Sequence, residues 1–153
     1  MATKTKQPTK SAEFKKLCKQ HDVDYTLIPE VKSFEEACEK LGIDPTKLPT
    51  VKGLSPRYQK RLIADYKLSV IADALREGKD VDYTDTDKYK YFPVFSVQAS
   101  EDKPSGFGLS SDYYDGWASV SSVGVRLCFP NRDLAKYFGK QFIELHKDHH
   151  LLT

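Results

Sequence analysis

The chain has 153 residues, of which 39% are hydrophobic and 30% are charged, and its formal net charge is +2. This composition is typical of a globular domain with its own core, and so small a net charge does not by itself indicate a nucleic-acid partner. No apolar run reaches membrane-spanning length, and the first ten residues lack the hydrophobic segment of a secretory signal. With Cys18, Cys38 and Cys128 widely spaced, we expect reduced thiols rather than a disulfide framework.

The beginning of the chain is basic. Its first nineteen residues hold six lysines and one glutamate. Residues 1–10 lack an apolar pattern and are predicted to be disordered, whereas residues 11–20 have the spacing of a short helix. We therefore predict a basic, partly disordered N-terminal arm over residues 1–32, followed by a single domain over residues 33–153.

Two helices are predicted in the helical part of this domain, residues 33–78. The first begins at a capping box formed by Ser33 and Glu36 and ends at Gly42. The second runs over residues 56–77, with a proline at its first position, where proline is favoured because that position needs no intrahelical hydrogen bond.

Three strands and a closing helix are predicted over residues 88–150. The strands are KYKYFPVFSV, SGFGLSS and SVGVRLCF, and the helix is NRDLAKYFGKQFIELH with Asn131 as its N-cap. Because strand side chains alternate between faces, the odd positions should form one apolar face. Those positions are Tyr89, Tyr91, Phe95, Val97, Phe107, Leu109, Val123, Val125, Leu127 and Phe129.

Together these elements predict an α+β fold. It consists of N-terminal helices, a three-stranded antiparallel β-meander and a C-terminal helix packed on the sheet. We expect the helices of residues 33–78 to cover the second face of the sheet, because a two-layer domain must bury their apolar sides.

Four sequence features resemble one protein family. They are F-E-x-A-C-x-x-L-G-I at residues 34–43, A-L-x-E-G at 74–78, Y-K-Y-F-P at 89–93, and V-G-x-R-L-C-F followed by L-A-x-Y-x-G-K-Q-F over 123–142. This combination is similar to small phage and prophage proteins of gut Bacteroidetes-type bacteria, over residues 33–148. The resemblance implies a phage accessory protein located in the bacterial host cytoplasm or in a virion, and it assigns no catalytic or binding residue.

No pattern in the sequence favours catalysis or a cofactor. His146 and His150 share a helix face at a spacing that can hold zinc, but the glutamate of the zincin motif is replaced by Lys147. The aspartates of residues 80–87 do not follow the EF-hand pattern, and a solvated turn explains them. Cys128 has no histidine placed beside it and is interpreted as a small buried residue. We therefore expect a non-enzyme without metal or cofactor.

Two binding surfaces are predicted. The segment SSDYYDGWASVSS, residues 110–122, is read as a connecting loop whose Tyr113, Tyr114 and Trp117 are of the types that protein-recognition surfaces favour. Its alternative is a hairpin connection whose tryptophan folds onto the core.

If the helices of residues 33–78 leave it open instead of covering it, the second surface would be the basic and aromatic face of the sheet, with Lys88, Lys90, Phe92 and Arg126. Cations beside a stacking ring are typical of platforms for single-stranded nucleic acid. We predict a non-catalytic protein-binding module, acting as a virion component or an inhibitor of a host factor. The alternative is a single-stranded nucleic-acid-binding protein in phage replication.

Overall fold

A computed structural model describes residues 9–99, 107–117 and 127–151, with the backbone alone for residues 96–99 and 107–117. The elements within these ranges, in chain order, are α1 (Ala12–Gln20), a short 3₁₀ helix (Tyr25–Leu27), α2 (Phe34–Leu41), α3 (Pro56–Leu75), β1 (Lys90–Ala99), β2 (Phe107–Trp117), α4 (Arg132–Gln141) and α5 (Ile143–His150).

The helix starts predicted from capping residues are confirmed. The Ser33 hydroxyl accepts a hydrogen bond from the backbone N–H of Glu36 at 3.2 Å, and the Glu36 carboxylate accepts one from the N–H of Lys32 at 2.7 Å. Asn131 caps α4 in the same way, since its side chain accepts from the N–H of Leu134 at 2.9 Å. Each bond pairs a donor at a helix start that would otherwise lack a partner.

The closing helix is divided in two. The apolar spacing predicts one helix from Asn131 onward, but α4 ends at Gln141 and α5 begins at Ile143. Phe142, between them, has φ −108° and ψ 30°, outside the helical range, and its own side chain is 7% exposed. Phe142 therefore interrupts the helix while its side chain stays in the core.

The prediction of a three-stranded meander is wrong. The described residues are mostly helical, and their strands form one antiparallel pair, β1 with β2. From the predicted third strand, residues 127–129 are described, and they contribute an isolated bridge in which Tyr91 and Phe129 exchange two backbone hydrogen bonds of 2.9 and 2.8 Å. Val123 and Val125 lie outside the described residues.

The single apolar face predicted from odd positions also fails. Tyr89 is 58% exposed, whereas Lys90 and Cys128, assigned to the other face, are 2% and 0% exposed. The pairing register of the hairpin shifts between Val94 and Ser96. Across this shift β1 contributes one residue and β2 two, so the extra residue lies on β2. The parity prediction fails because Tyr89 precedes β1 and the described residues 127–129 form an isolated bridge, so a two-residue strand period applies to neither.

Residues 11–32 pack into the same core as the rest of the chain. The side chains of Phe14, Cys18, Ile28 and Val31 are all 1% exposed or less and belong to the apolar cluster that includes α3 and α4. Residues 11–32 of the predicted basic, partly disordered N-terminal arm thus contribute side chains to the core. The predicted disorder of residues 1–8 lies outside the described residues.

The helices form two groups around α5. α4 and α5 lie against the hairpin, while α3 packs against α2 and α5. The helices of residues 33–78 therefore bury their apolar sides mainly against other helices and not as a cover for the sheet. No helix in the described ranges is long and apolar enough to cross a membrane.

Tyr137→Phe should lower the free energy of unfolding by about 1–2 kcal/mol, because the buried Tyr137 hydroxyl donates a 2.8 Å hydrogen bond to the carbonyl of Val31 and the change leaves that acceptor without it. Chemical denaturation measures the effect. Tyr83→Phe, at a ring that is 63% exposed, is the control and should change stability by less than about 0.5 kcal/mol. If Tyr137→Phe and the unchanged protein unfolded with equal free energies, the segment that contains Val31 would not be held to α4 by this hydrogen bond.

Candidate functional site

A groove of about 430 Å³ lies where α3 ends and the hairpin begins. Its volume is within the range of ligand and peptide pockets. Its lining combines cationic, acidic and tyrosine side chains: Arg76, Lys79, Asp80, Val81, Asp82, Lys88, Tyr89, Lys90, Tyr91 and Pro130. We call this the tyrosine groove.

Arg76 holds the wall of the groove. Its side chain is largely buried, its Nη1 donates to the carbonyl oxygen of Cys128 at 3.1 Å, and its Nη2 pairs with the Asp73 carboxylate. The guanidinium carbon lies 5.9 Å from the ring centre of Phe129, in the range of a cation–π contact. Arg76 therefore joins the end of α3 to the segment that pairs with β1.

Lys90, the first residue of β1, is buried at 2% exposure. Its ammonium donates to the backbone carbonyl of Asp85. A buried charge is tolerated only where polar partners replace its water, and this carbonyl supplies one of them. Lys90 thereby fixes the loop of residues 80–87 against the strand.

That loop is braced by its own side chains. The Asp82 carboxylate accepts from the N–H and the hydroxyl of Thr84, at 3.0 and 2.6 Å, and these bonds lower the pKa of Asp82. Asp85 pairs with Lys88 at 3.0 Å, which lowers the pKa of Asp85 and raises that of Lys88. The carboxylates of Asp82 and Asp85 thus already have partners, Thr84 and Lys88.

Charges around the tyrosine groove are balanced in sign. The lining contains four cations and two carboxylates, and the carboxylates of Asp73 and Asp85 pair with two of those cations, Arg76 and Lys88. Four positive charges therefore face four negative ones. A site that binds phosphates needs an excess of positive charge, and this groove does not have it.

Two tyrosines, Tyr89 and Tyr91, line the groove. Tyr89 is 58% exposed and stacks on Tyr91, with ring centres 6.4 Å apart and planes at 30°. Tyr83, in the neighbouring loop, is 63% exposed. Tyr89 was predicted on the apolar face of the sheet and is exposed instead. Tyr83 is not among the predicted binding residues, although a lone aromatic ring within an acidic run indicates an exposed contact residue.

The predicted protein-binding residues lie on β2 and not in a loop. Tyr113 pairs with Val94, Tyr114 with Pro93, and Trp117 with Lys90 in the antiparallel register. The strand extends through residues 110–117, and its register to β1 shifts at residues 111–112. This register places the Trp117 backbone beside the first residue of β1, which lines the tyrosine groove.

The predicted nucleic-acid residues differ in their surroundings. The Lys88 side chain is 77% exposed and is paired with Asp85, whereas Lys90 is buried. Phe92 is half-buried. Arg126 lies outside the described residues.

A histidine cluster lies where α5 meets the hairpin. His146 is 1% exposed, with the rings of Phe95 and Phe138 at 4.5 and 4.8 Å and that of His150 at 6.0 Å. Within the described ranges neither of its ring nitrogens makes a hydrogen bond of standard geometry. Burial lowers the pKa of His146 to about 3, so the ring is held neutral.

Metal binding was the alternative considered for these histidines and for residues 80–87. Across the part of the chain that the structure describes, no group of three or more histidine, cysteine, aspartate or glutamate side chains is arranged to hold a metal ion.

No protein-family model, curated protein or solved structure matches the chain.

Acid should destabilise the fold through His146. Its pKa is about 3 in the folded state and near 6.5 in the unfolded chain, so the unfolded chain binds more protons between these values. Above pH 6.5 His146 is neutral in both states, and its contribution to the stability of the fold is fully present. This contribution is lost progressively as the pH falls from 6.5 toward 3. Between pH 7 and pH 5 the free energy of unfolding should drop by about 2 kcal/mol.

His146→Leu should remove most of this drop, as measured by urea denaturation at each pH. His21→Gln, at a half-exposed histidine that hydrogen-bonds to Gln141, is the control and should retain it. The same pH dependence in His146→Leu as in the unchanged protein would rule out His146 as its source.

Proposed function

We propose that this chain is a non-catalytic protein-binding module that contacts its partner through the tyrosine groove. The observation that carries the proposal is the exposure of the stacked Tyr89 beside a groove with balanced charge. The resemblance to phage proteins suggests the setting: a virion component or an inhibitor of a host factor.

The tyrosines are of the kind that dominate protein interfaces. A tyrosine ring buries a large apolar area on binding and loses little side-chain entropy, and its hydroxyl still hydrogen-bonds at the rim. The stacking of Tyr89 on Tyr91 restricts the ring further, so less freedom is lost when a partner covers it. The braced loop beside it contributes a second exposed ring, that of Tyr83.

Single-stranded nucleic acid is the alternative partner. Exposed Lys88 and the stacked tyrosines are the features that favour it. Against it stand the buried position of Lys90 and the four carboxylates that balance the cations of the groove. We infer that a protein partner fits this surface better.

Tyr89→Ala should weaken binding of the protein partner by about tenfold or more, because the variant loses an exposed ring at the centre of the proposed contact. The partner is first captured on immobilised protein from a lysate of phage-infected host cells, identified, and then titrated in purified form. Tyr25→Ala, which removes a tyrosine 40% exposed and outside the groove, is the matched control and should bind like the unchanged protein.

A labelled thymidine oligonucleotide titrated at low and at high salt tests the alternative. We expect no binding at low salt. Tight binding that weakens with salt and is reduced by Lys88→Glu would replace the protein-binding proposal with the nucleic-acid one, since each lost phosphate contact lowers the salt dependence. Equal loss of partner affinity in Tyr25→Ala and Tyr89→Ala would exclude the tyrosine groove as the contact.

A further inference from the structure

An exposed apolar surface lies at the opposite end of α3 from the tyrosine groove. Val51, Leu54 and Tyr58 are 53%, 37% and 51% exposed. Leu54 and Tyr58 line a shallow depression of about 340 Å³ together with Leu62 and Arg61. Aliphatic and aromatic side chains grouped in this way at a surface indicate an interaction site.

This surface is preformed. The Gln59 side chain accepts from the N–H of Val51 at 2.9 Å and donates to the carbonyl of Pro49 at 2.5 Å, so it ties the loop to the first turns of α3. The N–H of Leu54 closes a turn onto the carbonyl of Val51 at 3.2 Å, and Gly53 in that turn has φ +83°. The loop is therefore held with Val51 and Leu54 directed outward.

The surface is also strongly basic, and we call it the basic apolar surface. Residues 45–64 contain five cations and no acidic residue: Lys47, Lys52, Arg57, Lys60 and Arg61. Two acidic side chains approach from elsewhere, and both are engaged: Asp148 pairs with Lys60 at 3.0 Å, and Asp65 lies 3.2 Å from His149. The first turn of α3 holds no acidic residue, so the positive end of the helix dipole adds to this charge.

The other end of α3 carries the complementary charge. The acidic loop, residues 80–87, contains four aspartates, and its Tyr83 is 63% exposed. Asp85 pairs with the adjacent Lys88, whereas Asp80, Asp82 and Asp87 form no ion pair within the described part of the chain. The shape of the loop is set by the hydrogen bonds of Asp82 to Thr84 and by the bond from Lys90 to the Asp85 carbonyl. The loop thus offers an apolar ring flanked by carboxylates to a surface that offers apolar side chains flanked by cations.

We propose that the chain associates with itself head to tail, with the acidic loop of one copy bound to the basic apolar surface of the next. The two surfaces lie near opposite ends of the 20-residue helix α3, which is about 30 Å long. A single copy therefore cannot pair them within itself. In a head-to-tail pair one acidic loop and one basic apolar surface remain unused, on different copies, so the association extends to a ring or a filament.

The test uses the purified protein alone, so its result does not depend on the partner of the tyrosine groove. Analytical ultracentrifugation over a range of concentrations should show a mass that rises beyond the dimer at low salt and less at high salt, because charged contacts are screened. Tyr83→Ser combined with Asp87→Lys disables the loop. Tyr58→Ser combined with Lys52→Glu disables the surface that receives it. All four side chains are exposed, so both variants should melt like the unchanged protein.

Each variant alone should remain monomeric at concentrations where the unchanged protein associates, with at least about a tenfold weaker association. Mixed in equal amounts, the two variants should form a dimer and nothing larger. One variant keeps the intact basic apolar surface and the other keeps the intact acidic loop, so a single contact between them uses both. Tyr25→Ser combined with Lys16→Glu, an exposed tyrosine and lysine outside both surfaces, is the control and should associate fully.

Three results would overturn the proposal. The first is an unchanged protein that stays monomeric at low salt and high concentration. The second is association that persists in both variants. The third is an equal mixture of the two variants that fails to form the dimer, since complementation follows only from a contact between the loop of one copy and the basic surface of another.

Discussion

The structure depends on the aromatic core built around α4. Tyr137 meets the ring of Phe14 at 5.7 Å and that of Phe142 at 6.1 Å, and its hydroxyl reaches the carbonyl of Val31. Phe138, on the same helix, lies 5.0 Å from Phe129. One helix therefore connects the first helix, the extended segment after it, the strand bridge and α5. Loss of this packing would separate the early part of the chain from the late part.

Polar contacts at the surface of α4 support the same connection. Lys136 donates to the carbonyl of Asp22 and pairs with its carboxylate at 2.7 Å. Gln141 bonds to His21 at 2.8 Å and donates to the carbonyl of Lys32 at 3.1 Å. The exposed ion pair contributes little by itself, but these bonds satisfy backbone groups of a segment that has little regular structure.

The long helix α3 separates the tyrosine groove and the acidic loop from the basic apolar surface. Arg76 anchors its C-terminal end to the carbonyl of Cys128, beside the tyrosine groove and the acidic loop. Gln59 anchors the preceding loop at its N-terminal end, beside the basic apolar surface. Each surface is thus attached to a rigid element, and a rigid surface loses less entropy on binding than a mobile loop. The distance between them follows from helix length alone.

Local signals in the sequence determined the helix starts. Ser33 with Glu36, Pro56 and Asn131 act through hydrogen bonds or dihedral limits that involve only neighbouring residues, so their effect is readable without the fold. Helical spacing likewise identified the apolar side of the closing segment. The acidic run of residues 80–87 and the absence of acidic residues in 45–64 are also visible in the sequence alone.

Only the tertiary structure decided the rest. The extra residue of the bulge lies on β2, opposite Val94–Ser96, and it depends on the pairing of the two strands. Strand alternation does not apply to Tyr89, because β1 begins after it. Lys90 is buried, with its ammonium bonded to the carbonyl of Asp85 in the loop just before β1, while Tyr89 beside it is exposed. Phe14 and Val31 belong to the core because α4, more than a hundred residues later, packs on them. Contacts so distant along the chain have no local signature, since they arise from which surfaces meet once the helices have formed.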